Sequence, residues 1–68
     1  MTTYSINKNP QSNGDHEIHK FGCLFEPSST NRIELGYHLN DYAALQAGKK
    51  IYSTADGCAF CCPAIHTR

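Results

Sequence analysis

The cysteines and histidines of this chain fall mainly in two segments, and their spacing suits metal binding. In the first segment His19 precedes Cys23 by four positions, across a break at Gly22. In the second, Cys58 and Cys61 are separated by two residues. A Cys-x-x-Cys turn lets two thiolates reach one tetrahedral ion at about 2.3 Å. The spacing therefore predicts a structural zinc site whose ligands are His19, Cys23, Cys58 and Cys61.

Other uses of these residues stay open. Cys62 and His66 lie beside the second pair, and either could replace one of the four ligands. Free cysteine is among the most buried residue types, so Cys23, Cys61 and Cys62 could instead fill the core. A third interpretation is a disulfide between Cys23 and one of the tail cysteines, in a small thiol protein that responds to oxidants.

Two motifs suggest catalysis, but neither is complete. Only Ile18 separates Glu17 from His19, whereas the zinc-protease helix motif needs two residues at that point. The cysteine pair lacks the βαβ setting in which a helix dipole lowers the thiol pKa in thioredoxin-like proteins. Asp56 would also oppose thiolate formation nearby. We therefore expect that the protein is not an enzyme.

The length and the charge of the chain limit the number of domains and the kinds of partner that we expect. The 68 residues predict one small domain, residues 1–68, near the size at which a hydrophobic core alone becomes marginal. Six basic and six acidic residues balance and are scattered, whereas a nucleic-acid binder normally has a basic patch. No apolar run approaches a membrane span, and no signal peptide is visible. We expect a cytoplasmic protein with reduced thiols, without a nucleic-acid or membrane partner.

Apolar and polar residues alternate in three stretches, which predicts strands at residues 4–7, 16–21 and 32–37. Asn13 and Gly14 give a strong turn signal between the first two strands, so these are expected to be antiparallel. The alternation places Glu17 and His19 on one face of the second strand. In the third strand it points three side chains inward: Ile33, Leu35 and Tyr37.

A helix is predicted from about Asp41 to Tyr52, with Asn40 as its N-cap. Gly48 within this helix costs about 1 kcal/mol relative to alanine, so we expect close approach to the sheet there. Gly57 is expected to give the backbone freedom to present its amides to the metal site. The predicted architecture is α+β, with two or three short antiparallel strands packed by one helix and closed by a C-terminal cysteine-bearing turn. A short exposed edge strand and a thin core favour a homo-oligomer.

Two resemblances follow from these motifs. The order His19-x-x-x-Cys23, a helix containing residues 43–48, then Gly57-Cys58-x-x-Cys61 resembles small zinc modules related to the N-terminal domain of the Ada DNA-repair protein. The likeness covers about two-thirds of the chain and implies a comparable order of strands, helix and closing cysteine pair. Ada accepts methyl groups from DNA on a zinc-bound cysteine, but this chain lacks the basic surface for that activity.

The whole chain also resembles a group of short bacterial proteins without known function. In that group further cysteines occupy places taken here by residues such as Asn40 and Ile65. This resemblance implies that the chain lacks one cysteine pair, which would shift the metal to another ligand set. The sequence favours a non-enzymatic, zinc-stapled interaction module in the bacterial cytoplasm, with a protein partner that it does not reveal. A nucleic-acid-associated module follows only by analogy with Ada.

Overall fold

The structure, a computed structural model, describes residues 2–67, which form four strands and one α-helix. The strands are β1 (Thr2–Asn7), β2 (His16–Lys20), β3 (Arg32–His38) and β4 (Ala55–Gly57). Helix α1 (Asp41–Lys49) lies between β3 and β4 in the chain, and short 3-10 turns occur at Ser29–Asn31 and Pro63–Ile65. The predicted α+β class is confirmed.

The four strands form one mixed sheet in the order β3-β1-β2-β4. Strand β1 pairs antiparallel with β2, as the sequence predicts, and its other edge pairs antiparallel with β3. Strand β4 pairs parallel with β2, with His16 opposite Ala55 and Ile18 opposite Gly57. Strand β4 was not predicted, because three residues are too few to show an alternating pattern. This pairing carries the chain directly from the sheet into the cysteine-bearing turn.

The core lies between the sheet and α1. Ile6 and Ile18 are paired across β1 and β2, and both are fully buried. A Cβ atom on Gly48 would lie 2.7 Å from Ile18 Cδ1 and 3.3 Å from Ile6 Cδ1. The predicted close approach of helix and sheet at Gly48 is therefore confirmed. The buried residues of this core are Tyr4, Ile6, Ile18, Ala44, Ala55, Cys62 and Ile65.

One inward-facing prediction in β3 is wrong. Ile33 and Leu35 pack against the core, but Tyr37 is 70% exposed. The pairing register between β1 and β3 shifts at this point, so that Tyr4 lies opposite Gly36 while the next residue of β1 lies opposite Glu34. This shift is a bulge that adds one residue to β3, so that the side chains beyond it lie on the opposite face of the sheet. Gly36 has φ of 81°, a conformation that glycine adopts without strain.

The helix begins as predicted and ends earlier. The Asn40 side chain accepts a hydrogen bond of 2.9 Å from the backbone N–H of Ala43, which confirms the N-cap. The helix ends at Lys49, and the amides of Ile51 and Tyr52 both donate to the carbonyl of Gly48, which closes the last turn. Within residues 2–67, no helix combines the length and the hydropathy that crossing a membrane requires.

Candidate metal centre

The structure brings His19, Cys23, Cys58 and Cys61 together, with one ligand atom from each within 4.8 Å of all the others. The Sγ atoms of Cys23 and Cys58 are 4.0 Å apart, and Cys61 Sγ is 3.9 Å from His19 Nδ1. A tetrahedral ion at about 2.3 Å from each sulfur would hold two sulfurs about 3.8 Å apart. The two chain segments therefore meet at a spacing that can hold a metal ion.

The first pair of candidate ligands is positioned by a tight turn at the end of β2. His19 belongs to the strand, and the N–H of Cys23 donates to the carbonyl of Lys20 at 3.1 Å. Gly22 supplies the φ of 84° that this turn needs, and its N–H donates to Glu26 Oε1 at 3.2 Å. The turn reverses the chain so that Cys23 returns beside His19.

The second pair is positioned by β4. The N–H of Cys58 donates to the carbonyl of Ile18 at 2.9 Å, which extends the parallel pairing as far as the first thiol. The chain then turns, and the N–H of Cys62 donates to the carbonyl of Cys58 at 2.8 Å. The N–H of Lys20 donates to Cys61 Sγ at 3.3 Å. This last contact orients the sulfur and favours its thiolate form.

Gly57 has a different role from the one the sequence suggests. Its φ is not in the left-handed region, so it supplies no unusual backbone freedom. A Cβ atom there would instead collide with the Ile65 side chain and lie 2.7 Å from the carbonyl oxygen of Cys62. Glycine is required at this position because the tail packs directly against the backbone of β4.

Burial favours a neutral imidazole at His19. The side chain is fully buried, and this burial lowers the pKa of His19, while the charges of Glu17 and Glu26 act in the opposite direction. Among residues 2–67, its Nε2 atom has no hydrogen-bond partner, although Glu17 Oε1 lies 3.5 Å away. A proton on Nε2 would face this carboxylate and leave the lone pair of Nδ1 for the cluster.

Glu17 is the functional candidate that the sequence analysis did not assign. Metal-bound histidines commonly donate their second ring N–H to a carboxylate, which fixes the tautomer and the ring orientation. The alternation of β2 already placed Glu17 and His19 on one face, so the signal was present as a spacing of two residues on a strand.

The thiols of Cys61 and Cys62 are poor nucleophiles by themselves. Burial raises the pKa of the Cys61 thiol well above its usual range, and burial also raises the pKa of Cys62 to about 11. The thiolate is the reactive form of cysteine, so such thiols react slowly near neutral pH. A bound cation would supply the charge that allows deprotonation at the cluster.

Neither of the two competing ligands belongs to the four-residue group. Cys62 is fully buried in the core; its Sγ is 3.8 Å from Cys61 Sγ, but it does not belong to the four-residue group. His66 Nδ1 is 2.9 Å from the carbonyl of Gly57 and 3.4 Å from Asp56 Oδ2. The core-filling interpretation therefore describes Cys62. All four cysteines are free in the structure, which does not favour the alternative of a disulfide between Cys23 and a tail cysteine.

Exposed apolar side chains flank the candidate ligands. Phe21, Leu24, Phe25 and Phe60, here called the apolar rim, are between 61% and 83% exposed. The first three lie next to Cys23 or within two residues of it, and Phe60 lies between Cys58 and Cys61. The rings of Phe25 and Phe60 meet edge to face, with centroids 5.5 Å apart. The turns that hold the cluster thus also present apolar surface to solvent.

Comparison of the chain with models of protein families, with curated proteins and with solved structures finds no significant match. The resemblances to Ada-like modules and to short bacterial proteins therefore stay predictions.

Proposed function

We propose that the protein is a non-enzymatic interaction module stapled by a structural zinc ion. The observation that carries this proposal is the convergence of His19, Cys23, Cys58 and Cys61 from distant parts of the chain. Three sulfurs and one imidazole nitrogen are a donor set that suits zinc, whereas magnesium and calcium prefer oxygen ligands. Four protein ligands fill a tetrahedral shell, which is the arrangement of structural sites and leaves no position for a catalytic water.

The size of the core supports a structural role for the metal. Its largest fully buried aliphatic side chains are Ile6, Ile18 and Ile65. Small domains with so few buried aliphatic residues usually need a disulfide, a metal or a partner subunit. Zinc binding contributes directly to folding free energy, because an unfolded chain has no preformed site. The ion would join the end of β2 to the C-terminal tail. Without it, the tail would be held beside β2 mainly by the short and weak pairing of β4 with β2.

The apolar rim supports the interaction part of the proposal. Exposed apolar patches commonly mark sites of protein association, and two of the four rim residues, Phe25 and Phe60, are in contact. Here that surface lies on the two turns that the metal would fix, so the ion would also order the contact residues. The partner is a protein, or a second copy of this chain. Zinc bound by thiolates suits a reducing compartment such as the bacterial cytoplasm.

Native mass spectrometry of the chain purified without added reductant tests the proposal. We expect one zinc ion per chain, lost on acidification. Cys23→Ala should lose the ion because it removes a ligand, and Cys62→Ala should retain it because its sulfur lies in the core. A metal-free chain with a mass two daltons below that of the reduced form would overturn the proposal in favour of the disulfide alternative.

A further inference from the structure

A small concavity opens beside the candidate metal centre. It has a volume of about 280 Å³ and is lined by Gln11, Glu17, Phe25, Cys58, Ala59 and Phe60. Sites for drug-sized ligands usually occupy about 300–1,000 Å³. The concavity is therefore of a size for one side chain or a comparably small group. Two of the four residues of the apolar rim, Phe25 and Phe60, line this concavity.

The walls of the concavity suit a cation. Phe25 and Phe60 are nearly perpendicular, at 82°, so that they present differently oriented aromatic surfaces to the same space. The face of an aromatic ring attracts an ammonium or guanidinium group within about 6 Å of its centroid. Glu17 adds a carboxylate whose side chain is 18% exposed. The apolar walls suit an alkyl stem, and the carboxylate suits a positively charged group at its end.

The charges around the concavity also favour a cationic ligand. None of the six lining residues is basic. Lys20 and Arg32 are engaged elsewhere, since Lys20 Nζ is 3.7 Å from Asp41 Oδ1 and Arg32 Nε is 2.7 Å from Glu34 Oε2. Three thiolates around one zinc ion carry a net charge of about −1. This last step rests on the proposed function, and it places a second negative charge beside Glu17.

We propose that this concavity binds the cationic side chain of a lysine or arginine residue on a partner protein. The alkyl stem lies against Phe25 and Phe60, and the charged group lies near Glu17. The interaction module thereby acquires a defined target chemistry: an exposed basic residue, not an acidic or purely apolar segment.

The test is an NMR titration of the zinc-loaded full chain with three probes. These are the Nα-acetyl N-methylamides of lysine, arginine and norleucine, the last of which has an alkyl side chain without the charge. The lysine and arginine probes should shift the backbone amide signals of Ala59 and Phe60. The norleucine probe should bind at least about fivefold more weakly, in line with the strength of cation–π contacts.

Single substitutions show whether the probes bind in the concavity. Phe60→Leu keeps an apolar wall but removes the ring, and should weaken lysine binding about two- to fivefold. Tyr37→Leu is the control, because Tyr37 is an exposed aromatic residue outside both the apolar rim and the lining, and it should leave binding unchanged. Should Phe60→Leu lose its zinc, Phe25→Leu takes its place. Zinc content is measured on every sample.

Two failures are distinguishable. A wild-type chain without zinc overturns the proposed function. A zinc-loaded chain that binds norleucine as tightly as lysine, or binds lysine equally well after loss of either ring, overturns this inference and leaves the metal site intact.

Discussion

Two buried cysteines offer a direct comparison of metal ligation with simple packing. Cys58 belongs to the candidate metal centre, whereas Cys62 belongs to the core, and both are buried. Cys58→Ala and Cys62→Ala remove the same atom from positions of similar burial. The difference in their stability therefore reports what the Cys58 sulfur does beyond filling space.

The two expected losses differ in size. Removing one buried sulfur costs roughly 1–2 kcal/mol in lost burial and residual cavity. A chain of 68 residues has a free energy of unfolding of about 3–10 kcal/mol. Structural zinc contributes about 10–16 kcal/mol of apparent binding free energy. Cys62→Ala should therefore fold with a lower Tm, whereas Cys58→Ala should lose its metal and with it the folded state.

Thermal unfolding followed by circular dichroism gives the readout. Cys62→Ala should lower Tm by roughly 5–15 °C, since 1 kcal/mol corresponds to about 4–8 °C in a domain of this size. Cys58→Ala should show no cooperative transition at all. Adding a zinc chelator should make the wild type resemble Cys58→Ala. Equal losses in the two variants, or a wild type that melts identically with and without chelator, would refute the reasoning.

Two glycine substitutions test the packing around the site by denaturant unfolding. Gly48→Ala should lower the free energy of unfolding by about 1 kcal/mol. Overpacking against Ile18 costs roughly 1–3 kcal/mol, and this cost exceeds the gain of up to about 1 kcal/mol in helix propensity. Gly57→Ala should cost more, about 3 kcal/mol, because its Cβ would meet backbone as well as the Ile65 side chain and no rotamer change relieves that contact. The reverse order of the two losses would contradict the packing described for β4.

Local signals predicted those features that depend on neighbours in sequence. Asn40 caps the helix through a contact only three residues away, so its residue type was sufficient. The alternation in β2 correctly separated Ile18, which enters the core, from His19, which enters the candidate metal centre. Gly48 was informative because glycine lowers the stability of a helix interior, and close packing against a neighbouring element is one reason for its presence there.

The features that sequence missed depend on contacts between distant segments. The bulge that exposes Tyr37 arises from the register between β1 and β3, which no single strand specifies. Strand β4 has no alternating pattern, and its central residue, Asp56, reads as a turn former. Asp56 is nevertheless buried, because its carboxylate accepts hydrogen bonds from the N–H of Thr67 at 3.1 Å and from the Thr67 hydroxyl at 2.8 Å.

The short strand β4 explains why the candidate metal centre and the fold depend on each other. Its three residues bring Cys58 alongside Ile18, one position before His19 in β2, and without that pairing the two ligand segments would not meet. A three-residue parallel pairing is weak by itself, since parallel strands gain slightly less per residue than antiparallel ones. An ion bound by His19 and Cys58 would close the same junction from the other side. The strand therefore supplies the geometry of the site, and the metal would supply the stability that so short a strand lacks.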